Sequence, residues 1–309
     1  MRTAVIGATI VDVVTYVEVA PKYGGTVRAA DFHIACGGKG ANQAIAAKRL
    51  GADILMVSAV GDDLFGAMAL ENYRRNGLDT RRIVTVPKVA NGAVMIIVEK
   101  TGQYRSMYYH GASDFLTPEN ILLAADELKT CGLFVIQLEI PLETVYAAVE
   151  FAKENNIPVV LNPSPLEEKI ALEKVSTCEF LVLNETELKI LTGLPVDSRE
   201  EIRAAAGKLL ACGLKNIVLT LGSRGSMWFA AGVEEFVPTL GVEAVDSTGA
   251  GDAFTGCFVK NYAAGEKIRD AIELASKYAA LSVTRKGTQD SYPTAAEFEK
   301  FLIGGKIVV

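Results

Sequence analysis

Short, almost continuous apolar runs recur through the middle of the chain, and most of them precede a segment with helical periodicity. The runs lie at residues 133–138, 159–162, 180–183 and 217–221, and the helical segments lie at residues 142–155 and 185–192. Strands that are apolar on both faces are typical of parallel sheets that helices cover on each side. The pattern therefore predicts an α/β fold with a mostly parallel central sheet.

Two other segments alternate between apolar and polar residues around turns that contain glycine. They are residues 10–33 and 91–109, and the second turn is at Thr101 and Gly102. Alternation of this kind predicts strands, and the two segments together predict a small β-sheet lid over the α/β body. Because the chain has no internal repeat and no low-complexity linker, residues 1–309 are predicted to form one domain with this lid inserted.

The composition narrows the classes of partner and of site. The formal net charge of -6 argues against binding to nucleic acid or to an anionic membrane. The five cysteines have no Cys-x-x-Cys spacing and there are only two histidines, which disfavours a disulfide framework, a zinc site and a histidine-based triad. No stretch approaches the ~20 apolar residues that span a bilayer, and the first apolar run is too short for a secretory signal, so the expected location is the cytoplasm.

A polar cluster meets three small residues in the segment from Asp246 to Asp252, just before an apolar-periodic stretch. This arrangement predicts a loop that opens a helix. The backbone N–H groups at such a helix start, with the helix dipole behind them, can bind an anion. Asp252 could stabilise the helix end or act as a general base beside that anion. Taken alone, the segment could equally be a cap with glycines that allow close packing.

A second glycine-containing loop, residues 36–44, precedes a helix that is predicted to run to Leu50. Its glycines would let a ligand approach the backbone closely, and Asn42 offers both a donor and an acceptor to a hydroxyl group. The loop is not a Walker A motif, because Gly-x-x-x-x-Gly-Lys-Ser/Thr does not occur in the chain.

These two loops, together with residues 137–139, 162–165, 184–187, 220–225 and 284–287, resemble the ribokinase (PfkB-type) family of carbohydrate kinases in order and across nearly the whole chain. The resemblance implies a ribokinase-like three-layer sandwich with a small β-sheet lid that often mediates dimerisation. It also implies transfer of the γ-phosphate of ATP to a sugar, with Mg2+ and K+ as further cofactors. Phosphoryl transfer depends mainly on positioning and electrostatics.

The resemblance also assigns a role to individual residues. It makes Asp252 the general base that takes the proton of the sugar hydroxyl, and it places the anion hole at the N–H groups of Gly249, Ala250 and Gly251. The implied sugar-binding positions are Ile10, Val11, Asp12, Gly38, Lys39, Gly40, Ala41, Asn42, Glu139 and Asp252. The implied ATP-binding positions are Asn184, Glu187, Thr220, Leu221, Gly222, Ser223, Arg224, Gly225, Gly251 and Ser276, with Asn184 and Glu187 associated with magnesium. The positions implied to surround potassium are Asp246, Thr248, Ser282, Arg285, Gly287 and Ser291, largely through backbone carbonyl groups.

One departure from the family pattern bears on the choice of sugar. Ribokinases usually have Asn two residues before the first-loop Asp, whereas this chain has Ile10 two residues before Asp12. Burying a ribose hydroxyl against Ile10 would cost about 1–3 kcal/mol, whereas the CH2 group of 2-deoxyribose would be accepted. Deoxyribokinases have an apolar residue at this place, and residues 11–16, 142–146 and 286–293 are also similar to that subgroup. We therefore expect phosphorylation of 2-deoxyribose, with some turnover of ribose.

Several alternatives stay open on the sequence alone. Ile10 could only pack under the lid, which would leave a ribose-specific enzyme. A nucleoside, fructose or ketodeoxygluconate kinase would share Asp252 and its loop but differ at Asp12, Lys39 and Asn42. A sugar-sensing protein without turnover would have little use for Asp252. A NAD-dependent dehydrogenase is disfavoured, because the first turn lacks Gly-x-Gly-x-x-Gly. The expected small-molecule partners are a pentose and ATP. A second copy of the chain is expected to bind through the lid.

Overall fold

The computed structural model describes residues 1–101, 103–166 and 169–304 of the chain. Gly102 of the predicted lid turn, residues 167 and 168, and the last five residues of the predicted domain lie outside the described residues. The strands are β1 Thr3–Ile6, β2 Ile10–Val17, β3 Asp31–Gly37, β4 Ile54–Gly61, β5 Asp79–Val86, β6 Gly92–Glu99, β7 Tyr104–Tyr109, β8 Leu133–Ile136, β9 Val159–Leu161, β10 Phe180–Asn184, β11 Asn216–Thr220, β12 Ser226–Ala230 and β13 Val233–Val237.

Nine of these strands, within the described residues, form one large sheet in the order β13-β12-β11-β10-β9-β8-β1-β4-β5. The strands from β11 to β5 in this order are parallel, whereas β12 and β13 add an antiparallel edge. The apolar runs at residues 133–138, 159–162, 180–183 and 217–221 supply its buried strands β8 to β11. The predicted α/β fold with a mostly parallel sheet is confirmed.

Helices cover both faces of the large sheet. They are α1 Lys39–Arg49, α2 Leu64–Arg75, α3 Pro118–Leu123, α4 Ala125–Leu128, α5 Leu142–Glu154, α6 Leu172–Val175, α7 Glu185–Thr192, α8 Arg199–Ala211, α9 Ala250–Ala263, α10 Ile268–Ser282 and α11 Ala295–Gly304. Successive residues of a strand point to opposite faces. Ile6 accordingly belongs to the core that contains α5 and α8, and Val5 belongs to the core that contains α1, α9 and α10.

The segments predicted as a lid form a separate four-stranded sheet in the order β3-β2-β6-β7. β3 extends to Gly37, past the predicted end of its segment at residue 33. β2 pairs with β3 in the antiparallel sense and with β6 in the parallel sense, which places Asp12 opposite Ala35 and Val94. The lid strand β3 therefore leads directly into the glycine loop before α1.

The strand order of the large sheet reverses beside β1. β4 and β5 lie on one side of β1, and β8 to β11 lie on the other side. In open α/β sheets, ligands bind at the carboxyl ends of the strands, where the order reverses. Gln137, Asn162, Asn184 and Thr220 all lie at or just after the carboxyl ends of strands at this edge. None of the helices among the described residues is long and apolar enough to cross a membrane.

Candidate active site

A cavity of about 200 Å³ opens at this carboxyl edge, where the starts of α1, α7 and α9 meet the ends of β10 and β11. Its lining is largely polar and consists of Lys39, Asn162, Ser164, Val182, Leu183, Asn184, Glu187, Thr220, Ser247, Gly249, Ala250, Gly251, Asp252 and Thr255. The cavity therefore brings together both glycine loops and the predicted magnesium-associated pair.

The predicted general base, Asp252, lies in the first turn of α9 and is 7% exposed. Each of its carboxylate oxygens accepts a hydrogen bond from an amide side chain of α1. Asn42 Nδ2 donates to Oδ2 at 2.9 Å, and Gln43 Nε2 donates to Oδ1 at 2.9 Å. These two donors fix the plane of the carboxylate and leave it lone pairs that can accept a proton. A positioned carboxylate of this kind can act as a general base.

A glycine pair lets the start of α1 approach the end of β1. A Cβ atom built on Gly40 would lie 2.8 Å from the Cα of Gly7, and one built on Gly7 would lie 2.9 Å from the Cα of Gly40. Side chains at either position would push α1 away from the sheet. The glycines of the predicted loop therefore position Asn42 and Gln43 as well as clearing space for a ligand.

The start of α9 is shaped by Gly249, whose φ of 75° lies in the left-handed region. The Tyr292 hydroxyl donates to the carbonyl of Gly249 at 3.0 Å, and the N–H of Ala250 donates to the carbonyl of Ser247 at 3.2 Å. The first N–H groups of a helix have no partner within the helix. The N–H of Ala250 is thus engaged within the loop, while Gly251, which lies in the first turn, presents its backbone to the cavity.

Two carboxylates, the buried Glu139 and the half-buried Asp12, lie on the predicted sugar side. Burial, and secondly the negative charge of Asp252, raises the pKa of Asp12 to about 6. Burial raises the pKa of Glu139 to about 7, although the positive charge of Lys39 opposes the change. Glu139 also accepts a hydrogen bond from the backbone N–H of Lys39 at 2.6 Å. Asp12, Glu139 and Asp252 therefore form a group of acidic residues that can accept hydrogen bonds from a polyhydroxyl ligand.

The Lys39 side chain lines the same cavity as Glu187 and Asp252. Burial lowers the pKa of the Lys39 ammonium, but the negative charges of Asp252, Glu139 and Glu187 outweigh burial and raise it. A cation that remains charged beside the start of α9 suits a phosphate group at least as well as a sugar hydroxyl. Lys39, predicted to bind sugar, therefore also faces the predicted phosphate side.

Ile10 lies beside the glycine loop but outside the cavity. It is on the same face of β2 as Asp12, because residues two apart on a strand share a face, whereas Val11 is on the opposite face. Ile10 is 1% exposed, and a Cβ atom on Gly38 would come within 2.9 Å of its Cγ1. Gly38, Gly40 and Ala41 contribute the close backbone packing around this position. Ile10 thus shares a face with Asp12, and its contact with a sugar stays a prediction.

On the predicted nucleotide side, Asn184 and Glu187 form a capping box at the start of α7. The backbone N–H of Asn184 donates to Glu187 Oε2 at 2.9 Å, and the N–H of Glu187 donates to Asn184 Oδ1 at 2.9 Å. Both side chains also line the cavity, and Glu187 is 8% exposed. A role as a helix cap and a role near a bound cation are therefore compatible.

The remaining predicted ATP-binding residues are spread along the rim. Thr220 lines the cavity, and residues 222–224 form a short helical turn between Leu221 and Gly225. Arg224 pairs with Glu185, and the side chain of Leu221 is buried in the core. Ser276 is also buried, with its hydroxyl 3.3 Å from that of Ser226, so its side chain is directed into the packing between α10 and β12. Ser223 follows Gly222 on the exposed turn.

Five of the predicted potassium positions lie in two segments beside α9, residues 246–248 and 285–291, whereas Ser282 is the last residue of α10. Asp246 links these loops, because its Oδ1 accepts from the N–H of Thr248 at 2.9 Å and its Oδ2 accepts from the N–H of Gly287 at 3.0 Å. Burial opposes the ionised form of Asp246, but these hydrogen bonds hold its pKa below the ordinary value. The Arg285 side chain pairs with Glu297 at 3.0 Å, and Ser282 and Ser291 are buried.

Sequence reasoning gave no role to several residues that support the site. Gln43 joins three elements, because its Nε2 also donates to Asn162 Oδ1 at 3.0 Å and its Oε1 accepts from Gln137 Nε2 at 2.6 Å. Gln289 Nε2 donates to Asn42 Oδ1 at 2.9 Å. The sequence shows only that Gln43 is a polar residue among the small residues of α1, which does not indicate its partners.

Known proteins are similar to this chain over almost its whole length. A family model described as the pfkB family of carbohydrate kinases matches residues 2–295. The chain is 45% identical over 302 residues to a deoxyribokinase of Salmonella typhi, covering 98% of this chain and 99% of that protein. It is 36% identical to a ribokinase of Schizosaccharomyces pombe, over 97% of each chain. A solved structure of Arabidopsis thaliana ribokinase complexed with ribose and ATP matches with a TM-score of 0.92 and 28% identity, over 97% of this chain and 98% of that chain.

Proposed function

The chain belongs to the pfkB family of carbohydrate kinases, and we propose that it transfers the γ-phosphoryl group of ATP to the 5-hydroxyl of a pentose, with 2-deoxyribose preferred over ribose. The observation that carries the proposal is the placement of Asp252. This carboxylate is buried and oriented by two amides, and it lies in the first turn of a helix whose glycine loop lines the cavity.

In the proposed reaction, Asp252 accepts the proton of the 5-hydroxyl as that oxygen forms a bond to the γ-phosphorus. The bond between the γ-phosphorus and the β,γ-bridging oxygen breaks, and ADP carries away the electron pair. General-base assistance of this kind contributes about 10²- to 10⁴-fold. Charge on the transferred group is stabilised by the N–H groups around Gly251 and by the Lys39 ammonium.

The pentose is held, in this proposal, by Asp12, Asn42 and Glu139. Asn42 uses one lone pair of Oδ1 to accept from Gln289 and one N–H to donate to Asp252, so its second N–H is available to a sugar hydroxyl. The preference for 2-deoxyribose is supported by the apolar Ile10 on the same face of β2 as Asp12 and by the 45% identity to a deoxyribokinase. A ribose-specific kinase is the second candidate, supported by the burial of Ile10 among core residues.

Magnesium and potassium are part of the proposal. Within residues 1–101, 103–166 and 169–304, no group of three or more His, Cys, Asp or Glu side chains is placed to hold a metal ion. Asn184 and Glu187 offer an amide oxygen and a carboxylate in the cavity, and these donors fit Mg2+, which keeps several waters and is held mainly by substrate phosphates. The loops joined by Asp246 would hold K+ through backbone carbonyls, as Thr248, Gly287 and Ser291 lie in them.

We also propose that the lid pairs two copies of the chain. The register of the lid sheet aligns Phe32, Met95, Met107 and Tyr109 on the face opposite Asp12. All four are exposed, with Met107 60% accessible. A contiguous apolar patch of this kind on a small sheet is typical of an interface between subunits.

Since the reaction consumes ATP, the cytoplasm remains the expected location.

The substrate preference is tested by kcat/KM for 2-deoxyribose and for ribose, measured with MgATP and potassium on the wild type, Ile10→Asn and the apolar control Ile10→Leu. The proposal predicts a preference for 2-deoxyribose that shifts toward ribose in Ile10→Asn by about tenfold or more and is retained in Ile10→Leu. A ribose preference that neither substitution changes would make the protein a ribokinase and return Ile10 to packing.

A further inference from the structure

A chain of polar side chains runs from the end of α1 through α2 to Asp252. Arg49 Nε donates to Asn76 Oδ1 at 3.1 Å, and Asn76 Nδ2 donates to Asn72 Oδ1 at 3.2 Å. Asn72 Nδ2 then donates to Gln289 Oε1 at 2.7 Å. From Gln289 the chain continues to Asn42 and ends at the Asp252 carboxylate. Four amides thus connect a guanidinium to the proposed general base.

The two ends of this chain fix its direction. A guanidinium can only donate hydrogen bonds, and an ionised carboxylate can only accept them. Every amide in between must therefore present its oxygen toward Arg49 and its N–H toward Asp252. Hydrogen bonds aligned in one direction polarise one another, which strengthens each of them in a buried setting. Asn42 and Gln289 are 5% and 4% exposed, so water does not readily replace the bonds that join Gln289, Asn42 and Asp252.

Arg49 also fixes the segment that carries Gln289. Its Nη1 donates to the backbone carbonyls of Gln289 and Tyr292, the latter at 2.8 Å. The segment therefore cannot slide relative to α1 without breaking these bonds. Gln289 is held at its backbone by Arg49 and at its side chain by Asn72.

We propose that Gln289 is a positioning residue for phosphoryl transfer, acting through Asn42 on Asp252, with Asn72, Asn76 and Arg49 fixing its orientation. This inference rests on the proposed role of Asp252. Without the donor from Gln289, Asn42 Oδ1 loses its hydrogen bond and the Asn42 amide is free to turn away from Asp252. Asp252 then loses one of its two amide donors and its fixed plane, and the second N–H of Asn42 no longer points to the sugar.

The test is steady-state kinetics on Gln289→Met, which removes the donor and nearly keeps the shape, and on Gln289→Glu, which can still accept from Asn72 but cannot donate to Asn42. In both variants kcat is expected to fall about 10- to 100-fold while the KM for ATP stays within about twofold, because misplacement of a reacting group affects the transition state most. Asn72→Leu is expected to lower kcat less, and to add nothing in the Gln289→Met background.

Asn216→Leu is the matched control for loss of a buried amide. Asn216 lies at the amino end of β11, away from the cavity, and bonds Trp228 and Glu179. It is expected to lower the unfolding temperature without changing kcat. The side-chain amide NMR signal of Asn42 gives a readout that is independent of turnover. This signal is identified by its absence from the spectrum of Asn42→Asp, and in Gln289→Met it is expected to shift and broaden.

The possible results distinguish failure of the proposed kinase function from failure of the positioning role of Gln289. Absence of pentose phosphorylation by the wild type would remove the proposed function, and the Asn42 signal would still report whether Gln289 fixes that amide. Pentose phosphorylation by the wild type with unchanged kcat in Gln289→Met, or additive effects of Gln289→Met and Asn72→Leu, would overturn the positioning role alone.

Discussion

Gly256 of α9 lies directly against Ala46 of α1, so that a Cβ atom on Gly256 would come within 2.6 Å of the Ala46 Cβ and 2.7 Å of the Gln43 carbonyl oxygen. This contact sets the distance between the two helices that form the site. α1 carries Asn42 and Gln43, and α9 carries Asp252. The bonds between amides and carboxylate depend on a side chain being absent at Gly256.

Gly256→Ala is expected to force α1 and α9 apart. The free energy of unfolding should fall by about 1–3 kcal/mol, as for other insertions into a packed core, and kcat should fall because both amides move from Asp252. Gly207→Ala in α8 is the control, because a Cβ atom there meets nothing within 4 Å; it should raise stability by about 0.5–1 kcal/mol. Urea unfolding and the kinase assay measure both effects, and unchanged stability and kcat in Gly256→Ala would contradict the packing account.

Glu139 should make the stability of the unliganded protein depend on pH. Its pKa is raised from 4.5 to about 7, so between these values the folded chain binds more protons than the unfolded chain. Stability from this group is therefore gained as pH falls through about 7 and lost as pH rises. The change in the free energy of unfolding that Glu139→Gln causes should therefore be more stabilising at pH 8 than at pH 5, by about 1–3 kcal/mol.

Urea unfolding at the two pH values checks this expectation, with Glu299→Gln, an exposed carboxylate on α11, as the control. The control should show a difference near zero. An effect of Glu139→Gln that is equal at pH 5 and pH 8 would mean that the burial of this carboxylate does not carry the predicted cost.

The lid face should hold two copies of the chain together. Met95 and Met107 are paired across β6 and β7 and are both exposed, so the double substitution Met95→Lys and Met107→Lys places two charges in the proposed interface. Light scattering is expected to give a dimer mass for the wild type and a monomer mass for the variant. Ile190→Lys, at a 56% exposed position on α7, should remain dimeric. A wild-type monomer, or a dimer that survives both lid charges, would argue against this interface.

The sequence predicted the architecture because its signals are local. Apolar runs predicted the parallel strands, and the small residues from Gly249 to Asp252 predicted the start of α9. The support of the site was not predicted, because it depends on tertiary contacts. Gln43 and Gln289 give no local signal for a bond to Asp252 or Asn42, since α1, α9 and the turn at Gln289 meet only after the sheet has formed.

The directions of side chains within the predicted site could not be predicted from the sequence either. Motif matching places Lys39 with the sugar and Ser276 with ATP. In the structure the charges of Asp252, Glu139 and Glu187 all act on the Lys39 ammonium, and the Ser276 hydroxyl is buried beside that of Ser226. Packing and neighbouring charges decide where a side chain points. The spacing of residues along the sequence contains no information on either of them.

The central claim is that Asp252 removes the proton of the attacking hydroxyl. The most direct measurement is MgATP-dependent phosphorylation of 2-deoxyribose by Asp252→Ala and Asp252→Asn, together with calorimetric binding of the sugar to each variant. The account predicts retained sugar binding and a loss of kcat of about 10²- to 10⁴-fold in both variants. Turnover that is undiminished when the sugar still binds would remove Asp252 from this role.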